Sequence, residues 1–317
     1  METGRQLFNH FLTGSILPRP PFVPLLRGLE ARVGGISSKT MTSDPTLWAN
    51  SLMKTTELFG FDGVVIGFDF TLMAEACGCQ ITWQNDRPII STQPTTLSDA
   101  PEESGGLKHA LEVARRVFQL CRKERACVAA ITGPVTLSNQ LFGREHGPNR
   151  IGDVKQVVVR VVEAFCQTRP DVLVFMEGRP LALAELSIAH RRIYNTIKNI
   201  SSYFNIATSL YLQGYHPENL DQFSKLEMDI YVLGPPLIGG NLPLSELWDL
   251  GTDALGVGLG LPLDDLEKAK ELINGGLRLY HAKRDRGFFF TSLGPVTHDA
   301  SPERIHSLIR EINSINL

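Results

Sequence analysis

Two periodicities alternate along the chain. Leu107, Ala110, Leu111, Ala114, Val117, Phe118 and Cys121 recur at helical spacing and predict a helix over Gly106–Glu124. Short, nearly unbroken apolar runs stand between such stretches and read as strands buried on both faces. They are Phe22–Leu26, Gly63–Phe68, Ala126–Ile131, Val172–Met176, Ile206–Leu212, Ile230–Leu233, Ala254–Val257 and Gly287–Thr291. Further helices are predicted over Asp153–Gln167, Leu181–Ile200, Pro217–Leu226, Leu244–Leu250 and Asp264–Asn274, with a last one entered through Ser301-Pro302-Glu303. Strands and helices alternating in this number predict an α/β fold, a single (β/α)8 TIM barrel over residues 1–317 with an N-terminal extension. The competing architecture is a doubly wound open sheet.

Local signals refine this frame. Residues 1–18 form a partly amphipathic leader, expected as one short helix across a barrel end. Asp44-Pro45 is a helix start whose buried side would be Leu47, Trp48, Leu52 and Leu58, with Gly60 as its stop. Ile81–Ser104 is rich in Pro, Thr and Ser and reads as a long loop or β-ribbon over the strand ends. Gly256-Val-Gly-Leu-Gly260 fits a strand-end loop, an anion nest at most, rather than a Walker or Rossmann fingerprint.

Composition narrows the class. Of 317 residues, 43% are hydrophobic and 21% charged, enough for a full core and against disorder. A net charge of −3 argues against nucleic-acid binding. No apolar run reaches the roughly 20 residues of a membrane span, and the first residues lack a signal-peptide pattern, so a cytoplasmic protein is expected. Cys77, Cys79, Cys121, Cys127 and Cys166 are too few and too odd for a disulfide framework. None follows Cys166.

Barrel chemistry sits where the strands end. The polar residues there are Arg27, Asp69, Thr132, Glu177, Gln213 and the Thr291–His298 loop, with Tyr211 and His216 flanking Gln213. Asp69 has two readings: a carboxylate facing the barrel mouth, or a cap for the next short helix. Glu177 ends an apolar strand but precedes Arg179, a local surface pair in the alternative reading. His216 stands at a helix start, and His298 in a loop before the last helix. Cys77-Gly78-Cys79 alone is weak support for zinc.

Four segments, in order, carry a resemblance. They are Arg19–Gly28 (RPPFVPLLRG), Phe59–Trp83 around Asp69 with Gly78 nine residues on, Thr132–Gly143 (TGPVTLSNQLFG), and Gly287–Ile305. Together they resemble the uroporphyrinogen decarboxylase superfamily. That superfamily includes the porphyrinogen decarboxylase, corrinoid-dependent methyltransferases and, more distantly, cobalamin-independent methionine synthase. The resemblance implies a (β/α)8 barrel. It places Asp69 on the family's aspartate, Gln140 on its tyrosine, and Gly294-Pro295-Val296 on its Gly-His-Gly, with His298 close by. Arg27 and Arg32 loosely echo its arginine pair. The zinc-binding His-x-Cys of the thiol methyltransferases falls on Tyr211 and Gln213, so zinc is not expected; a set of Glu177, His216, His298 and Asp69 remains as an alternative without a demanding spacing.

The resemblance therefore implies a methyltransferase-like barrel without the cysteine-based zinc site, exchanging a methyl group with a corrinoid partner. Asp69, Glu177 and His298 are the expected catalytic groups. Arg27, Gln140, Tyr211, Gln213 and His216 are the expected substrate-binding groups. The alternatives are a uroporphyrinogen decarboxylase with altered residues and a non-catalytic tetrapyrrole- or corrinoid-binding barrel. Expected partners are a small-molecule or tetrapyrrole substrate and a corrinoid protein, with no nucleic acid or membrane; a homodimer is the assembly left open. No covalently bound cofactor is expected.

Overall fold

The computed structural model describes residues 2–251, 253–283 and 286–317. Its main sheet holds β1 (Gly63–Ile66), β4 (Ala126–Thr132), β5 (Val172–Glu177), β6 (Ala207–Leu212), β7 (Ile230–Leu233), β8 (Gly256–Leu261) and β9 (Gly287–Ser292), in that order. β2 (Gln80–Gln84) and β3 (Arg87–Thr92) form a separate antiparallel hairpin. All neighbouring pairs in the main sheet are parallel. The sheet curls, so its strands are covered on both faces. Val65, Val128, Ala130, Val174, Met176, Tyr211, Val232 and Phe289 pack together inside the curl. The alternate residues, such as Cys127, Ile131, Leu173, Phe175 and Phe288, face the helices outside. Phe8 and Phe11 of the N-terminal helix Gly4–Thr13 close the lower end, edge-on to Phe289 at centroid distances of 5.6 and 5.1 Å. The helix expected across a barrel end is there.

The first expected strand, Phe22–Leu26, differs. It makes only two isolated bridges, to Phe290 and Val296. Pro20, Pro21 and Pro24 have no N–H to give a ladder, so pairing breaks. The segment still lies beside β9. Phe290 N–H donates to Pro21 O, Val23 N–H to Phe290 O, and Val296 N–H to Leu25 O, at 2.7–2.8 Å. On its other side Asp62 N–H donates to Phe22 O at 3.1 Å. Asp62 is the anchor: its carboxylate takes both terminal nitrogens of Arg19 at 2.8 Å and the Phe22 N–H at 2.7 Å, almost out of solvent.

Other departures have local causes. Gly256–Gly260 is not a loop but β8 itself. A Cβ at Gly258 would stand 2.7 Å from both Phe289 and Val232, so glycine is needed there for close packing. The helix expected over Leu181–Ile200 is two helices, Arg179–Ala182 and Ile188–Tyr203, the second restarted by a Ser187–His190 capping box. The segment after Thr132 is helical over Pro134–His146, with Pro134 at its first turn. Leu47 and Leu58 are exposed, while Trp48 and Leu52 hold the buried side of helix Pro45–Phe59. The polar stretch after Cys79 forms the ribbon β2–β3, turned by Asn85 and Asp86 with φ of 49° and 58°, as a tight hairpin of this kind requires. No helix among the described residues is long and apolar enough to cross a membrane.

Two substitutions test this frame by urea denaturation. Asp62→Ala leaves the part-buried Arg19 and the buried Phe22 N–H without their acceptor and is expected to lower stability by about 2–3 kcal/mol. Gly258→Ala forces Phe289 or Val232 off its rotamer and is expected to cost about 1–3 kcal/mol.

Candidate functional site

Three expected site residues meet where the strands end. Arg27 leaves the proline-rich segment, Asp69 follows β1, and His298 lies in the loop after β9; all three line one cavity. Gly28 lets the loops approach: its φ is 113°, and a Cβ there would stand 3.1 Å from the His298 backbone nitrogen. Arg32 fastens the same loop by donating to the His298 and Ala300 carbonyls at 2.9 and 3.0 Å.

Asp69 lines the cavity and holds the turn before the next helix, whose N-cap is Thr71 rather than Asp69. One oxygen accepts the Thr71 N–H and hydroxyl, each at 2.8 Å, which fixes the turn into helix Leu72–Ala76. The other faces Arg27, whose Nε lies 3.9 Å away. That Nε is buried and has no hydrogen-bond partner. A buried guanidinium N–H left open in this way is costly and calls for an acceptor.

The cavity also holds a carboxylate that the sequence reading passed over. Glu30 is buried and accepts the Gly28 N–H at 3.0 Å. Burial pushes its carboxyl up to about 7; its own and the Gly28 backbone N–H and the Arg27 charge pull the other way, and Asp69 adds to the rise. Its sequence signal was ambiguous, because a glutamate in the first turn of helix Leu29–Gly34 is also an ordinary helix-start residue. The hairpin forms the roof, with Trp83, Asp86 and Arg87 over the cavity. Asp86 ties the roof down by accepting the Ser38 N–H on its carboxylate at 2.8–2.9 Å. Trp48, Met41 and Phe68 supply apolar wall, and the enclosed volume is about 80 Å³.

The remaining expected site residues lie elsewhere. Glu177 is fully buried and does not line the cavity. Its oxygens accept the Val135 and Thr136 N–H groups, the Thr136 hydroxyl and the Tyr194 hydroxyl. It thus caps helix Pro134–His146 from inside, and burial raises its carboxyl despite these donors. Gln140 donates to the Phe70 carbonyl at 2.9 Å, beside Thr132 at 3.1 Å, and its Oε1 is buried without a partner. Tyr211 is buried inside the curl, edge-on to Phe68 at 5.2 Å, with its hydroxyl 3.4 Å from Leu293 O. Gln213 is half-buried beyond the end of β6. His216 is near the surface, 3.7 Å from exposed Glu218.

The positions that the resemblance gives to zinc ligands lie at the end of β6. A phenol and an amide, Tyr211 and Gln213, stand at the positions in question. No group of three or more His, Cys, Asp or Glu is gathered for a metal among the described residues. Burial pushes the Cys77 thiol up to about 12 and the Cys79 thiol up to about 11, which keeps both protonated at neutral pH.

Residues 3–176 match the family model of uroporphyrinogen decarboxylase (URO-D). No curated protein matches the chain. Among solved structures, a methyltransferase from Methanosarcina mazei shares the fold at a TM-score of 0.78 and 16% identity, over 99% of each chain. A B12-independent methionine synthase from Shewanella sp. W3-18-1 is similar at a TM-score of 0.54 and 13% identity, over 84% of this chain and 87% of that one. The strand ends carry an aspartate, an arginine and a loop histidine around one cavity, and more than half of the chain fits one family model: it belongs to the uroporphyrinogen decarboxylase family.

Proposed function

We propose that the chain is a methyltransferase-like member of its family that acts on a small substrate bearing an anionic group. The observation that carries this reading is Arg27, which lines a cavity with Asp69 and Glu30 and whose Nε has no hydrogen-bond partner. Arg27 would bind the anionic group, since guanidinium–carboxylate bonds are among the strong ones. Asp69 would hold Arg27 in place, and His298 would contact the substrate from the far wall. Glu177 would act through position, by fixing helix Pro134–His146 and with it Gln140. The Pro21–Arg27 segment is, on this reading, the remaining stave of a (β/α)8 barrel. The M. mazei methyltransferase and the methionine synthase support the methyl-transfer side by likeness of fold.

Space argues for a small substrate. The cavity of about 80 Å³ is smaller than the roughly 150 Å³ that takes one benzene. A tetrapyrrole or corrin ring does not fit under the hairpin as it stands. A corrinoid presented by a partner would have to meet the substrate at the rim. This is also why the decarboxylase reading ranks second, although Asp69 is in the mouth.

Two measurements test the reading. Calorimetric titration with small carboxylates should show binding that Arg27→Ala weakens by about 10- to 100-fold. Unchanged affinity in that variant would remove the anion site. Free methylcobalamin, followed by its absorbance with a small carboxylate or thiol as acceptor, should lose its methyl group only when the protein is present. Release of carbon dioxide from uroporphyrinogen would move the chain to the second reading.

A further inference from the structure

The cavity contains two features that a simple anion site does not need. One is Glu30, a carboxylate beside the group that would receive an anion. The other is the apolar wall of Leu26, Met41, Trp48, Val65 and Phe68. We infer that the cavity takes a small carboxylic acid with a short apolar body, its carboxylate on Arg27, and that Glu30 takes up a proton as it binds; this rests on the anion-binding reading above.

The sign follows from the charges around Glu30. The titratable and charged groups lining the same cavity are Arg27, Asp69, His298, and, from the hairpin, Asp86 and Arg87. Asp69 and Asp86 are already held by N–H and hydroxyl donors. Arg27 is the cation that draws the Glu30 proton off, while burial and Asp69 favour keeping it. A carboxylate bound to Arg27 offsets that cation, and its apolar body excludes water. Both effects favour the protonated form of Glu30. The proton comes from solvent and ends on the Glu30 carboxylate; no bond of the ligand breaks. The site thus admits the elements of a neutral acid, which spares it an uncompensated negative charge. The same proton stays available beside the bound molecule for a later chemical step.

The test is calorimetry of the full chain with acetate at pH 7.5, run in HEPES and in Tris, whose ionisation enthalpies differ. Because the free Glu30 carboxyl titrates at about 7, uptake of more than about half a proton per ligand is expected. Glu30→Gln should bind acetate without buffer dependence. Acetamide, the neutral isostere, should not compete. Binding without proton uptake in the wild type, or uptake that survives in Glu30→Gln, overturns the role of Glu30 and leaves the anion site standing. Binding of phosphate or malonate but not acetate overturns the ligand class. Failure of every small anion to bind defeats the anion-binding reading itself. Folding of Glu30→Gln is checked in the same series by urea midpoint against pH. The folded wild type keeps a proton that the unfolded chain releases between about 4.5 and 7, so this stability is present below 4.5 and lost as pH rises through 7. The wild type should therefore lose stability relative to Glu30→Gln across that window, and a constant difference overturns the assignment.

Discussion

The pairing of buried Asp62 with Arg19 fixes where the first segment of the chain runs. Prolines deny that segment a regular ladder, so strand pairing alone cannot hold it. Asp62 supplies the missing link with three charge-assisted hydrogen bonds at the foot of β1. Everything the segment carries upward follows from this. Arg27, Gly28 and Glu30 arrive at the cavity because residues 19–22 are pinned just before them in the chain, beside the strand that leads to Asp69.

The site is assembled from loops that hold one another. Asp69 is stiffened by Thr71, and the next carbonyl, Phe70, is clamped by Thr132 and Gln140. Arg32 reaches across to the loop that carries His298. The hairpin adds a roof fastened by Asp86. Such mutual bracing keeps charged groups in place in a partly dry cavity, where small displacements change their energies strongly.

Most of the fold was legible because helical and strand periodicities differ and each leaves its mark in apolar positions. The helix Gly105–Cys121 and the strands β4 and β5 fall within a few residues of expectation. The failures have a common cause: a residue type that serves two ends. Glycines in Gly256–Gly260 read as a loop, whereas they make room for Phe289 and Val232 within a strand. Glu30 drew no notice in the sequence, because burial is a tertiary property with no local signature. Asp69, Arg27 and His298 were legible as strand-end residues. That Glu177 ends a strand was legible too, but not that four donors from two other elements would enclose it.

Those enclosing contacts affect how mutational data on this protein are to be read. Glu177 joins β5 to helix Pro134–His146 and to Tyr194, and that helix carries Gln140, which grips the loop of Asp69. Removing Glu177 would loosen the cavity from a distance. An alanine scan scored by turnover would rank it as essential, level with groups that touch substrate. Only a comparison of ligand affinity with thermal unfolding, residue by residue, separates a reacting carboxylate from a keystone.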